Sequence, residues 1–188
     1  LSGDELITAR SLVTNHAATL DAPPEAVWPW LTQVGWHRGG WYTARWVDVL
    51  LFPANSPSAD RIHPEWQGLA VGDLVLDGAP ETECHFVVRD LDPGRHLVLH
   101  SRSHLPPAFR DRHRAWIDWS WVFQLTDLGD GRTRFHFRSR ARLGPRWLAA
   151  AYWLALVPAD HVMASQMLRG IRSRAETRPL DGAVPPVG

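Results

Sequence analysis

WIDWSWVFQLTDLGDGRTRFHFRSRARL, residues 116–143, decides the fold. Along 116–126, Ile117, Trp119, Trp121, Phe123 and Leu125 fall at every second position, and Asp118, Ser120 and Gln124 lie between them. Beyond the Gly129-Asp130-Gly131 turn, Thr133, Phe135, Phe137, Ser139 and Ala141 alternate with Arg134, His136, Arg138, Arg140 and Arg142. A period of two puts one set on each face of a strand. The glycine-bounded turn joins the two as a hairpin. One face is aromatic and turned inward; the other is an arginine ladder expected to face solvent.

Working outward, residues 73–77, 84–91 and 95–103 also read as strands, with Pro93-Gly94 as a turn. HAATLDA (16–22) reads as a short strand that ends before Pro23-Pro24. Proline at a helix start costs little because the first amides have no intrahelical partner. A helix is therefore expected from Pro24 or Glu25 to about Gln33. A second short helix is expected over Thr43–Leu51, after the glycine-punctuated GWHRGGWYT (35–43). Residues 53–72 are irregular, and Leu105–Arg114 is expected to be an exposed loop. The last element is a long helix from Pro145 to Glu176. Its expected inward stripe is Leu154, Val157, His161, Ala164, Leu168, Ile171 and Ala175, with a kink at Pro158. The chain divides into an N-terminal extension (1–15), one domain (16–178) and a disordered tail (179–188).

The remaining composition narrows the chemistry. All 20 basic residues of the 188 are Arg, so no Lys can serve as a Schiff-base or general-base amine. They balance 20 acidic residues, which leaves no field to gather nucleic acid. The one cysteine, Cys84, excludes internal disulfides and multi-thiolate metal sites, and it fits a reducing, cytoplasmic setting. No signal-peptide pattern opens the chain. The longest apolar run, Trp147–Val157, falls short of the roughly 20 residues that span a bilayer.

The order of elements, together with APPEAVWPWLTQVGWHRGGWYT (22–43), ADRIHPEWQGLAVGD (59–73), GRTRFHFRSR (131–140) and HVMASQMLRGIRSRAE (161–176), resembles the START/SRPBCC superfamily. The likeness is to its bacterial polyketide cyclase/dehydrase branch in particular. It implies an α+β helix-grip fold, with a curved antiparallel sheet and two short helices wrapped around a long C-terminal helix. It also implies a cavity between the sheet and that helix. The inward strand set would be Leu74, Leu76, Phe86, Val88, Leu97, Leu99, Trp119, Trp121, Phe123, Phe135 and Phe137. Trp153, Val157, His161 and Ala164 would face them from the helix, and Trp41 would join from the glycine-rich loop. The plainer reading of any single one of these is core packing.

The polar candidates are few. Arg38, in GWHRGGW, could hold a carboxylate or phenolate at the cavity mouth, or could fix its own loop by pairing or stacking. His161 on the helix could act as a general acid or base, or be a satisfied core histidine. Ser101 and Ser139 could hydrogen-bond within the cavity, and Asp73 reads as a turn cap. His96, His100, His104 and His113 share no face that could assemble a metal site, so neither metal nor cofactor is expected. His104 and His113 are placed on or beside the exposed loop. These residues point to a protein that binds a hydrophobic or aromatic small molecule, lipid or polyketide-like, in the cavity. The alternative is a polyketide cyclase/aromatase-type enzyme that uses Arg38 and His161 in that cavity. Neither reading involves nucleic acid or an integral membrane segment, and the oligomeric state is open.

Overall fold

The computed structural model describes residues 1–7, 12–46, 49, 56–105 and 107–177. Six antiparallel strands form one sheet: β1 (Leu12–Leu20), β2 (Leu74–Leu76), β3 (His85–Asp92), β4 (His96–Ser101), β5 (Trp116–Gly129) and β6 (Arg132–Gly144). Their order across the sheet is β1-β6-β5-β4-β3-β2, so the chain crosses from one edge to the other between β1 and β2. Helix α1 (Pro24–Thr32) follows β1, a short α2 (Pro107–His113) joins β4 to β5, and α3 (Arg146–Glu176) closes the chain. This is the α+β helix-grip architecture. Residues 47, 48, 50 and 51 of the second short helix expected over Thr43–Leu51, and the tail from residue 178, lie outside the described residues; Arg45, Trp46 and Val49 are helical.

The 116–143 hairpin forms in the expected register, with Phe123 opposite Phe137 and Leu125 opposite Phe135. Phe86, Val88, Leu97, Leu99, Phe123, Phe135 and Phe137 are fully buried, and Trp121 nearly so. The core continues onto α1 through Val27, Trp30 and Leu31, and onto α3 through Ala164, Met167, Ile171 and Ala175. The N-terminal strand begins at Leu12, earlier than its polar start suggests. Ahead of it, a turn over Asp4–Leu6 lies on the convex face, where Arg138 and Arg140 both pair with Asp4. The arginine ladder is thus partly covered rather than wholly solvated.

Two faces differ from the sequence expectation. In β2 the buried residue is Val75, while Leu74 and Leu76 are exposed. In a three-residue strand with an apolar residue at every position, period two carries no face information. On α3 the expected stripe holds from Ala164 onward. Earlier in the helix, Leu154 and Trp153 are 69% and 55% exposed, and Leu148 is the residue buried instead. Leu148 packs with Leu105, Ala115 and Ile117, while Tyr152 lies half-buried against them. The segment 147–157 is apolar on all sides, so tertiary partners select its inward face, not periodicity.

Helix α3 crosses the Trp41-Tyr42 segment at Gly170, where a Cβ would stand 2.0 Å from the Tyr42 carbonyl oxygen. The Tyr42 hydroxyl donates to the Trp30 carbonyl at 2.8 Å, and the Arg174 guanidinium lies 5.1 Å from its ring centre. Gly170→Ala gains up to about 1 kcal/mol of helix propensity. It is nonetheless expected to destabilise the fold by about 1–3 kcal/mol, because the backbones must separate. Denaturant unfolding checks this, and an unchanged or raised midpoint contradicts it.

Candidate functional site

The hairpin itself opens the cavity. Toward the Gly129 turn, large residues oppose large ones across β5 and β6. Toward the other end, Trp121 faces Ser139 and Trp119 faces Ala141. On the next strand, Thr14 and Leu12 stand opposite the same two small residues. The inward face of β6 thus drops from Phe to Ser and Ala, and a volume of about 210 Å³ remains beneath α3. Trp41, Trp119 and Trp121 wall it from the loop and sheet, and Tyr152, Val157, Ala159 and Met163 from the helix. The indoles brace one another, with Trp41 edge-on to Trp121 at 5.1 Å and Trp119 edge-on to Trp121 at 5.2 Å. Phe86 stacks on Trp121 from behind at 5.2 Å.

Of the residues singled out from sequence, Trp41, Trp119, Trp121 and Val157 line this cavity. Phe86, Leu99, Phe123, Phe135 and Phe137 belong to the packed core around it. Arg38 lies outside the lining and is half-buried in its loop, where it donates to the Thr32 carbonyl at 2.9 Å and the Trp66 carbonyl at 2.7 Å. Burial lowers its pKa, partly offset by Asp73. The loop is closed by reciprocal backbone bonds between Gly35 and Gly40 and tied to the sheet by Trp36 N–H donating to the Leu76 carbonyl. His161 is exposed on α3, also outside the lining, its ring 5.8 Å from that of His16.

The polar part of the wall comes from elsewhere. His104, expected on an exposed loop, has a side chain only 8% exposed. Its ring packs 4.4 Å from Phe86 and 4.8 Å from Trp119. Its Nε2 is 2.9 Å from Oδ2 of Asp77, and its Nδ1 is 2.6 Å from Oγ of Ser101. A neutral imidazole satisfies both by donating to the carboxylate and accepting from the hydroxyl. His104 and Asp77 both line the cavity. Across it, Asp160 on α3 also lines the wall and meets Nε2 of His16 on β1 at 2.9 Å. Ser139 accepts a hydrogen bond from the Trp119 indole at 2.7 Å, so its own hydroxyl hydrogen stays available. Burial, Cys84 and Asp77 act on the Tyr152 hydroxyl, with no hydrogen bond among the causes of its raised pKa. Among the described residues there is no group of three or more His, Cys, Asp or Glu placed to hold a metal ion.

Asp77, Tyr152 and Asp160 carry no pattern in the sequence that marks them as cavity residues. A weak signal for the cavity was present in the inward series Phe135, Phe137, Ser139, Ala141, whose side chains shrink along the strand.

The architecture is similar to that of solved proteins at low identity. A conserved protein from Geobacillus kaustophilus aligns over 87% of this chain and 95% of its own, at 17% identity and a TM-score of 0.51. A conserved protein of unknown function from Enterococcus faecalis aligns over 89% of this chain and 72% of its own, at 15% identity and a TM-score of 0.51. The Zhui aromatase/cyclase from Streptomyces sp. R1128 aligns over 93% of this chain and 100% of its own, at 16% identity and a TM-score of 0.49. No protein-family model and no curated protein matches the chain. The observed architecture, a six-stranded antiparallel sheet closed by a long C-terminal helix, is an α+β helix-grip fold. At these identities the likeness is one of fold alone, and a fold does not by itself fix a function. In addition, no described helix is long and apolar enough to cross a membrane.

Burial raises both phenols of this helix-grip domain. Tyr42 is driven well above the ordinary tyrosine value. Tyr152 is pushed up to about 12, with Cys84 and Asp77 adding to the effect. The chain has only these two tyrosines, so native protein is expected to develop no phenolate absorbance near pH 10. Because the folded Tyr152 value exceeds the unfolded one, its stability contribution is complete below about pH 10 and is lost as pH rises toward 12. Ultraviolet titration of the native chain and of Tyr152→Phe checks this; a step at pH 10 that vanishes in the variant contradicts it.

Proposed function

We propose that the chain binds an apolar or aromatic small molecule in the cavity between the concave sheet face and α3. The observation that carries this is the cavity itself, an apolar volume of about 210 Å³ walled by three indoles with a small polar group at one side. Pockets for small organic ligands have that composition, an apolar lining with few polar groups that fix orientation. Size narrows the ligand. An apolar cavity of about 150 Å³ takes up benzene. The present volume suits a one- or two-ring molecule, and a longer lipid or polycycle requires the walls to move. A ligand with a hydrogen-bond acceptor fits best, because the Tyr152 and Ser139 hydroxyls both have a hydrogen to give.

A second reading is an enzyme of the cyclase/aromatase type working in the same cavity. What favours it is the Asp77–His104 pair in the wall, which could serve acid–base chemistry there. Arg38 and His161, the polar candidates from sequence, support it less, since both lie outside the lining.

Binding is testable with 2-tetralone and 1-naphthol as probes. Tryptophan emission is expected to quench or shift on titration, since three cavity walls are indoles. Ala141 lines the cavity and is the small partner of Trp119. Ala141→Phe fills that space and is expected to weaken probe affinity about tenfold or more, roughly the 1.4 kcal/mol of one decade. Circular dichroism confirms that the variant keeps its fold. A folded wild-type chain that gives no fluorescence or NMR response to either probe overturns the proposal.

A further inference from the structure

We infer that the cavity is a proton-transfer site for ketones, with Asp77 as the base, Tyr152 as the donor to the carbonyl oxygen and His104 as the residue that positions Asp77. The inference rests on the cavity binding a small molecule and adds the chemistry carried out there.

Three observations place the groups. Asp77 and Tyr152 line the same volume of about 210 Å³, small enough that one bound ring system meets both. Asp77 spends only Oδ2 on His104, and Oδ1 has no hydrogen-bond partner among the described residues. No hydrogen bond is among the causes of the raised Tyr152 pKa. The carboxylate and the phenol thus belong to residues that line one mostly apolar chamber, whose other polar lining includes His104, Ser139 and Asp160. Their proximity also agrees with Asp77 acting on the Tyr152 phenol, which stays neutral, and so able to donate, up to about pH 12. His104 is buried between Phe86 and Trp119 and anchored on Ser101. It fixes the carboxylate by donating through Nε2 and leaves the second oxygen to act.

The step balances without a cofactor. Oδ1 of Asp77 takes a proton from the carbon beside the carbonyl, and the electron pair of that C–H bond becomes a carbon–carbon π bond. The carbonyl π pair moves to oxygen, where the Tyr152 hydroxyl stabilises the developing charge by hydrogen bonding. The negative charge passes from Asp77 to the enolate oxygen. Return of the proton to the same carbon gives exchange, and return to a conjugated position gives double-bond migration. An apolar surround strengthens the oxyanion hydrogen bond relative to water. The substrate class is an aromatic or bicyclic ketone with an acidic α-hydrogen.

The experiment follows α-hydrogen exchange of 2-tetralone in heavy water by proton NMR, with binding of the same compound measured in parallel by tryptophan fluorescence. Wild-type protein is expected to accelerate exchange over buffer. Asp77→Asn is expected to lose on the order of 100-fold and Tyr152→Phe on the order of 10-fold or more, both while still binding 2-tetralone. His104→Asn, which keeps a donor, is expected to retain more activity than His104→Ala and to shift the pH profile, as a positioning role requires. Binding without exchange overturns the inference and leaves the binding reading intact, as does an Asp77→Asn rate equal to wild type. Absence of binding overturns the binding reading, and this inference falls with it.

Discussion

The pairing of β5 with β6 is the constraint on which everything else rests. Its concave face must be covered, because Trp121, Phe123, Leu125, Phe135 and Phe137 cannot be left in water. At about 25 cal/mol per Å² of apolar surface, each buried aromatic contributes several kcal/mol. A sheet open on both edges covers such a face most economically with one long helix, and α3 does this along Ala164, Met167, Ile171 and Ala175. Gly170 lets that helix approach the Tyr42 backbone closely enough to seal the core. The convex face is handled differently, through a turn at Asp4–Leu6 whose carboxylate meets two arginines of β6.

The same pairing also creates the cavity. Where Phe meets Phe across the hairpin the interior is full; where Trp meets Ser and Ala it is not. Interiors close-pack, so a volume of this size persists only where the surrounding side chains are held rigid. Here the rigidity comes from interlocked rings: Trp41, Trp119, Trp121 and Phe86 contact one another at 5.1 to 6.0 Å, and three of the four form the wall. Two His–Asp pairs then tie parts of the rim together. His16–Asp160 joins the first strand to α3, and His104–Asp77 joins the segment after β4 to the segment after β2. Each leaves a carboxylate facing an apolar chamber, an arrangement with chemical as well as structural consequences.

The chain is legible from sequence where the pattern is long and strict. Strands β5 and β6 alternate over ten or so residues each, broken in β5 only by Val122, so their inward face is legible; the outer face is not wholly solvated, since Ser120 and Val122 are buried there. Legibility fails where apolar residues crowd every position. Leu74-Val75-Leu76 offers no odd–even contrast, and residues 147–157 are apolar around the whole helix, which left Leu154 and Trp153 assigned to a face they do not occupy. His104 was misplaced for another reason. Its burial depends on Asp77, Ser101 and Phe86, and Asp77 stands 27 residues away in sequence.

By itself the sequence determined the antiparallel hairpin, its aromatic inward face, the long closing helix and the lack of amine or multi-thiolate chemistry, because these follow from residue type and short-range period. The tertiary structure decided which apolar residues form a wall and which fill the core, and which polar groups enter the cavity. Those outcomes depend on the size of the residue across the ladder and on partners far apart in the chain. Neither periodicity nor composition records what stands opposite Trp119 and Trp121, and that is what leaves the space.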